Sequence, residues 1–422
     1  MTDVLDPLID ATFKGYPHGA VSLRRSRIGD QGWNVLAGDL PLPLAVIRRE
    51  ALAHNVGWMQ RFADAAGVRL APHGKTTMSP QLFRRQLDAG AWGLTFATVT
   101  QMQAGLAAGA RNVVIANQVL DAADLGAIAA LHDTHPDVRV VFLLDSEAQL
   151  ALIETVSADR PFDVLLEVGV AGGRTGVRAH DAALALARRA HASDAVSLVG
   201  VECYEGLGNT GRSQDDRPAA SELMDRVERL AMQCDAEGLF DTDEVIVSAG
   251  GSGVFDLVVP RLRLALSRPV TGLLRSGCYV AHDQGHYQRL VHAVNQRLGC
   301  DDAQGLRAAL EVWALVQSMP EPGLAILAVG KRDISHDLGM PVPLATCARA
   351  SRERRAVPQG WSVQKLNDQH AYLQLTPDTH GLQVGDRVCL GISHPCTTFD
   401  KWRWMPVVDD DYAVVDAIVT CF

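Results

Sequence analysis

The stretch "VRLAPHGKTTMSP", residues 68–80, joins an apolar, strand-like run to the start of a helical pattern. A lysine stands at the junction, although the chain has only five: Lys14, Lys75, Lys331, Lys365 and Lys401. The same strand-to-helix unit can be followed outward in both directions. Between about residues 43 and 280, short β-branched runs alternate with Ala-, Leu- and Arg-rich stretches of helical spacing. The strand-like runs read "PLAVI", "VRLAPHG", "WGLTFAT", "NVVIAN", "VRVVFLLD", "FDVLLEVG", "LVGVECYEG", "DEVIVSAGG" and "TGLLRSGCYV". Such alternation predicts an α/β protein with a parallel sheet, and this many units predicts a closed (β/α)8 TIM barrel. Nine runs are one more than that barrel holds, so one of them is expected elsewhere.

After about residue 295 the texture changes. "LRAALEVWALVQSMPEPGLAILAVG", "WSVQKLNDQHAYLQLTP" and "LQVGDRVCLGISHPCTTFDKW" are strand-rich, with Pro/Gly turns. The expected organisation is a barrel over 40–290 and a mainly β domain over 291–422, with residues 1–39 packing on the latter.

Bulk properties narrow the function classes. Hydrophobic residues make up 47% of the 422 positions and charged residues 21%, the balance of a globular enzyme. A net charge of −10 and a pI near 5.8 argue against a nucleic-acid binder. No apolar run reaches the length of a membrane span, and "MTDVLDPLIDATFKGYP" has no basic segment followed by an apolar one. Eight cysteines are scattered without CxxC pairs, so a disulfide scaffold is not expected and the cytoplasm is the expected compartment.

In a barrel of this kind, function collects at the carboxyl ends of the strands. Lys75, Thr98, Asn117, Asp145, Arg174 and Tyr204 stand at or just after such ends. "VIVSAGGSGVFDLV" is a strand, a small-residue turn and a helix start. Glycines let backbone N–H groups approach an anion closely, so Ser248, Gly250, Gly251 and Ser252 are candidate phosphate donors; the bland alternative is an ordinary tight turn. A strand-end lysine together with a phosphate cradle suggests pyridoxal 5'-phosphate (PLP), because a desolvated lysine readily forms a Schiff base. Lys331 in "ILAVGKRD" is the rival, but it lies in the β part, away from the cradle. In "GISHPCTTFDKW", His394 and Cys396 are two apart on a segment read as extended, so both face one way and could form half of a zinc site; on spacing alone, a packed cysteine beside a structural histidine is the commoner reading.

Together, "PHGKTTMSP", "LDAGAWGLTFATVTQ", "SAGGSG" and "SHPCTTFDKW" resemble the fold-type III PLP enzymes, on the branch of D-serine dehydratase (deaminase) and D-threonine aldolase. The resemblance runs from about residue 40 to the C-terminus and implies an alanine racemase-type barrel, a C-terminal β domain and a homodimer. It makes the Lys75 run the first barrel strand, which moves "PLAVI" to the other domain. It implies that Lys75 holds the cofactor, that Arg174 faces the pyridine nitrogen and keeps it unprotonated, and that Tyr204 lies beside the cofactor. It places Ser248, Gly250, Gly251 and Ser252 at the phosphate, Tyr279 nearby, and His394 with Cys396 on zinc or another divalent metal. The implied reaction is elimination of water from D-serine or a related β-hydroxy D-amino acid, giving a keto acid and ammonia. The related aldolases carry an aspartate at the position of Cys396, so the cysteine tilts the reading toward a dehydratase. Retro-aldol cleavage of the D-threonine aldolase type and D-threo-3-hydroxyaspartate dehydration are the alternatives. Thr76, Thr77 and Met78 depart from the more basic pattern expected after the lysine, and His370 and Asp333 are further pocket candidates.

Overall fold

The computed structural model describes residues 4–377 and 381–422. The strand Leu44–Arg48 (β1) leads into helix Arg49–Ala65 (α1). Eight parallel strands then follow: Arg69–Leu70 (β2), Leu94–Phe96 (β3), Asn112–Gln118 (β4), Arg139–Leu144 (β5), Phe162–Val168 (β6), Val196–Cys203 (β7), Val245–Ala249 (β8) and Val270–Leu274 (β9). Helices Pro80–Asp88 (α2), Val99–Ala107 (α3), Ala122–Thr134 (α4), Glu147–Ile153 (α5), His180–His191 (α6) and Ser213–Ala236 (α7) fill the intervals. Strand ends and helix starts are close-coupled. Thr98, flagged for its place after a strand, caps α3 by accepting the Gln101 N–H, and Asp121 and Ser146 cap α4 and α5 in the same way.

The circle closes at the strand that carries the lysine. Leu273 and Leu274 of β9 pair with Arg69 and Leu70 of β2. On the other side, β2 reaches β3 through the single bridge His73–Thr95, where the Thr95 N–H donates to the Pro72 carbonyl at 2.9 Å. Inside the ring, Ala71, Val114, Val141, Leu143, Leu165, Val199, Ile246 and Leu273 form an apolar cluster of their own, so the barrel is a packed core rather than a pore. Just past this seam, a Cβ on Gly74 would stand 2.4 Å from Phe96 Cε1, so the turn lies hard against the barrel wall.

The run "PLAVI" is the surplus strand. It pairs antiparallel with Leu310–Trp313 and parallel with Val407–Val408, both in the C-terminal sheet. That sheet is built from Leu310–Glu321 (β10), Leu324–Leu327 (β11), Val342–Cys347 (β12), Ser362–Leu366 (β13), Ala371–Gln374 (β14) and Arg387–Gly391 (β15), flanked by Trp404–Val408 (β16) and Val414–Val419 (β17). The N-terminal segment packs on this part: Lys14 pairs with Asp333 at 2.9 Å, and Arg25 with Asp416 at 2.5 Å. Among the described residues, no helix is long and apolar enough to cross a membrane.

Candidate active site

The carboxyl ends of the barrel strands open into a cavity of about 300 Å³. Lys75, Arg174, Tyr204, Gly250, Ser252, His394 and Cys396 all line it. Thr76 and Cys396, 320 positions apart in sequence, therefore meet at one mouth.

Lys75 is carried by a single 3₁₀ turn, Gly74–Thr76, between β2 and α2. It is half-buried, and among the described residues it makes no hydrogen bond or ion pair. Burial, and then the charges of Lys75 and Arg275, hold His73 well below the ordinary imidazole value, so that ring stays neutral. Across the cavity, the Arg174 guanidinium stands 5.1 Å from the Tyr204 ring centre. An unpaired amine on one wall and a buried, partnerless Asn209 Nδ2 on another fit a ligand with an aldehyde and an anionic end, as PLP is.

His394 and Cys396 reach the same cavity from the β domain. The segment is not extended as the sequence pattern suggested. Pro395 adopts helical angles (φ −60°, ψ −46°), and Cys396 opens the short helix Cys396–Phe399. His394 Nδ1 lies 2.6 Å from Asp337 Oδ2, which assigns the proton of the neutral ring to Nδ1 and leaves the Nε2 lone pair free. The Cys278 thiol, 3.8 Å away, and His394 hold Cys396 well below the ordinary thiol value, against the opposing effect of burial. Burial alone would lower His394, but the Cys396 thiolate and the Asp337 carboxylate push it up to about 9. A thiolate beside a carboxylate-oriented imidazole suits zinc. Among the described residues, no three His, Cys, Asp or Glu are arranged to hold an ion, so the pair is a half-site.

The other expected residues sit differently. Ser248 does not line the cavity, because its hydroxyl donates to the Leu273 carbonyl at 2.9 Å and accepts from Arg275. The Gly250 and Gly251 N–H groups donate to the buried Glu205 carboxylate. Tyr279 is buried behind the wall, its hydroxyl accepting from Gln86 Nε2 at 2.9 Å. Asp333 lies under the N-terminal segment, paired with Lys14, and neither it nor His370 nor Lys331 lines the cavity.

Sequence reasoning missed a buried charge pair at the cavity floor. Arg275, just after β9, pairs with Glu202 of β7 and donates to the Cys203 carbonyl at 3.0 Å. Both side chains are almost fully inaccessible, at 3% and 0% exposure. A charged residue closing each of two apolar runs, "LVGVE" and "TGLLR", was the readable signal. Burial raises Glu202 from 4.5 to about 7, with Glu167 adding to the shift and Arg275 opposing it. Its folded value lies above the unfolded one, so the stability it contributes is complete below about pH 4.5 and is lost as the pH rises through about 7. Glu202→Gln should flatten that slope, and Glu202→Ala, which strands Arg275, should cost about 3–5 kcal/mol. Thermal melts across pH 5–7 check both; a slope unchanged in Glu202→Gln would assign the titration to another group.

Residues 47–269 match the family described as "Alanine racemase, N-terminal domain", and residues 309–408 match "Putative serine dehydratase domain". The chain belongs to the fold-type III PLP enzymes. Among curated relatives, it is 30% identical to the D-threo-3-hydroxyaspartate dehydratase of Delftia sp. (strain HT23), over 85% of this chain and 92% of that one. It is 26% identical to the D-threonine aldolase of Arthrobacter sp., over 87% and 89% of the two chains. The solved D-threonine aldolase from Filomicrobium marinum has the same fold, with a TM-score of 0.76 at 22% identity, covering 94% of this chain and 98% of that one. The Delftia dehydratase structure superposes at a TM-score of 0.69 and 24% identity, covering 92% and 99%. Solved variants of the dehydratase include a histidine-to-alanine form and, two positions further on, a cysteine-to-alanine form that is metal-free. This fold-type III member is thus a PLP-dependent lyase with an alanine racemase-like barrel and an antiparallel C-terminal β domain.

Proposed function

We propose that this enzyme is a zinc-assisted dehydratase (deaminase) of β-hydroxy D-amino acids, acting on D-serine or D-threo-3-hydroxyaspartate to give a keto acid and ammonia. The observation that carries the reading is Cys396, held well below the ordinary thiol value beside Cys278 and His394, on the wall of the cavity that also holds Lys75. The spacing of this pair equals that of the two substituted positions in the Delftia dehydratase. A thiolate favours zinc over the harder ions that a carboxylate at the same place would select.

When bound, PLP supplies an electron sink for cleavage at Cα, and zinc a Lewis acid for the departing hydroxyl. Lys75 Nζ takes the Cα proton as general base. His394 Nε2 and Cys396 Sγ would hold the ion, with Asp337 fixing the His394 ring. Arg174 and Tyr204, which line the same cavity, would help hold the cofactor. The enzyme works as a cytoplasmic homodimer.

A retro-aldol reading has one observation in its favour. It needs a base for the substrate hydroxyl, and His286 lines the cavity, kept below its ordinary value by burial and Arg289. Incubation with D-serine, D-threonine and D-threo-3-hydroxyaspartate separates the two. The dehydratase reading expects keto acid and equimolar ammonia. Glycine with an aldehyde and no ammonia overturns it in favour of the aldolase.

A further inference from the structure

The turn after β8 offers fewer phosphate donors than its sequence promises. Each backbone N–H carries one proton, and those of Gly250 and Gly251 are directed at Glu205, the former at 3.1 Å. A phosphate on the same two groups would have to displace that buried carboxyl from them. Ser248 is committed to Leu273 and Arg275. Only the next two residues of the turn, Ser252 and Gly253, still face the cavity alongside Gly250.

Above Gly253 stands Asn209. Its Nδ2 would lie 3.4 Å from a Cβ at Gly253, so the amide rests over the glycine backbone. Nδ2 is buried and, among the described residues, has no hydrogen-bond partner, although the residue lines the cavity. An unsatisfied buried amide is costly, and such groups as a rule face an acceptor. The loop bearing Asn209 is anchored rather than free: the N–H groups of Thr210 and Gly211 donate to Asp216, at 2.9 and 3.0 Å. The donor is therefore held over the glycine before any ligand arrives.

We infer that Asn209 is a phosphate ligand of the cofactor, and that the phosphate sits on Ser252, Gly253 and Asn209, beyond the Gly250–Gly251 pair. This rests on the PLP reading of the site. The test compares two probes, PLP and pyridoxal, which lacks the phosphate, titrated by absorbance into protein stripped of cofactor. Asn209→Asp keeps the shape and replaces the donor with a carboxylate; it should weaken PLP binding about ten- to hundredfold and leave pyridoxal binding unchanged. Asn209→Ala should weaken PLP about tenfold, again without moving pyridoxal. Pyridoxal affinity doubles as the control for folding. Equal losses for both probes would mark a structural role and overturn the inference, as would no loss for either. Loss confined to D-serine affinity in the loaded enzyme would move Asn209 to the substrate carboxylate and overturn it too. A wild-type protein that binds neither probe would sink the cofactor reading itself.

Discussion

Lys75→Ala should remove the visible absorption band of the cofactor-loaded protein and lower turnover by at least about 10⁴-fold. Both losses follow from one nitrogen, which is proposed to hold the cofactor and then to carry the Cα proton. The fold should survive. The Lys75 side chain makes no hydrogen bond or ion pair with the described residues, so truncation strands no partner. The turn around it is set by its neighbours, with Gly74 against Phe96 and Phe83 and the Met78 N–H donating to the Gly74 carbonyl at 2.9 Å. An unchanged melting temperature beside a lost band is the expected pair of results. A Lys75→Ala protein that stays yellow and active would assign the role to another lysine.

The second large effect lies at the other wall. His394→Ala or Cys396→Ala should cut turnover by about 10³–10⁴-fold, since one of the two proposed metal donors among the described residues is removed, while the visible band remains. Asp337→Asn should weaken metal binding by about 10–100-fold, because the imidazole loses the carboxylate that orients it. The pH dependence has a definite sign. In the metal-free protein His394 is protonated below about pH 9, so the ion must displace that proton. Metal affinity should therefore fall about tenfold for each unit of pH below 9, approaching a plateau above it. Competition with a chromogenic chelator at pH 6.5 and 8.5 measures this. Equal affinities at the two values would exclude His394 as a ligand.

Several parts of this site could be read before any fold was known. Lys75 stood out because a rare residue type closed an apolar run, and His394 with Cys396 because they are two positions apart. Those signals are local. The phosphate turn was also local, yet Ser248 and Gly251 proved to face inward. Their hydrogen-bonding groups are engaged by Glu205, Leu273 and Arg275, none of which the turn itself could reveal. The burial of Tyr279 was equally hidden: its partner, Gln86, lies 193 positions away.

Strand–helix periodicity alone specified a barrel followed by a β domain, because the alternation of buried faces is written residue by residue along the chain. Closure of the ring decided the rest. It sent Leu44–Arg48 to the other sheet through pairing with Leu310–Trp313. Packing within the C-terminal part set Asp337 against His394, and the closed barrel set Glu202 against Arg275. The fold also left the buried Asn209 Nδ2, at the cavity wall, without a hydrogen-bond partner among the described residues. Periodicity records which face of an element is apolar, but the partner of a polar group is chosen by whatever the folded chain brings within about 3 Å of it.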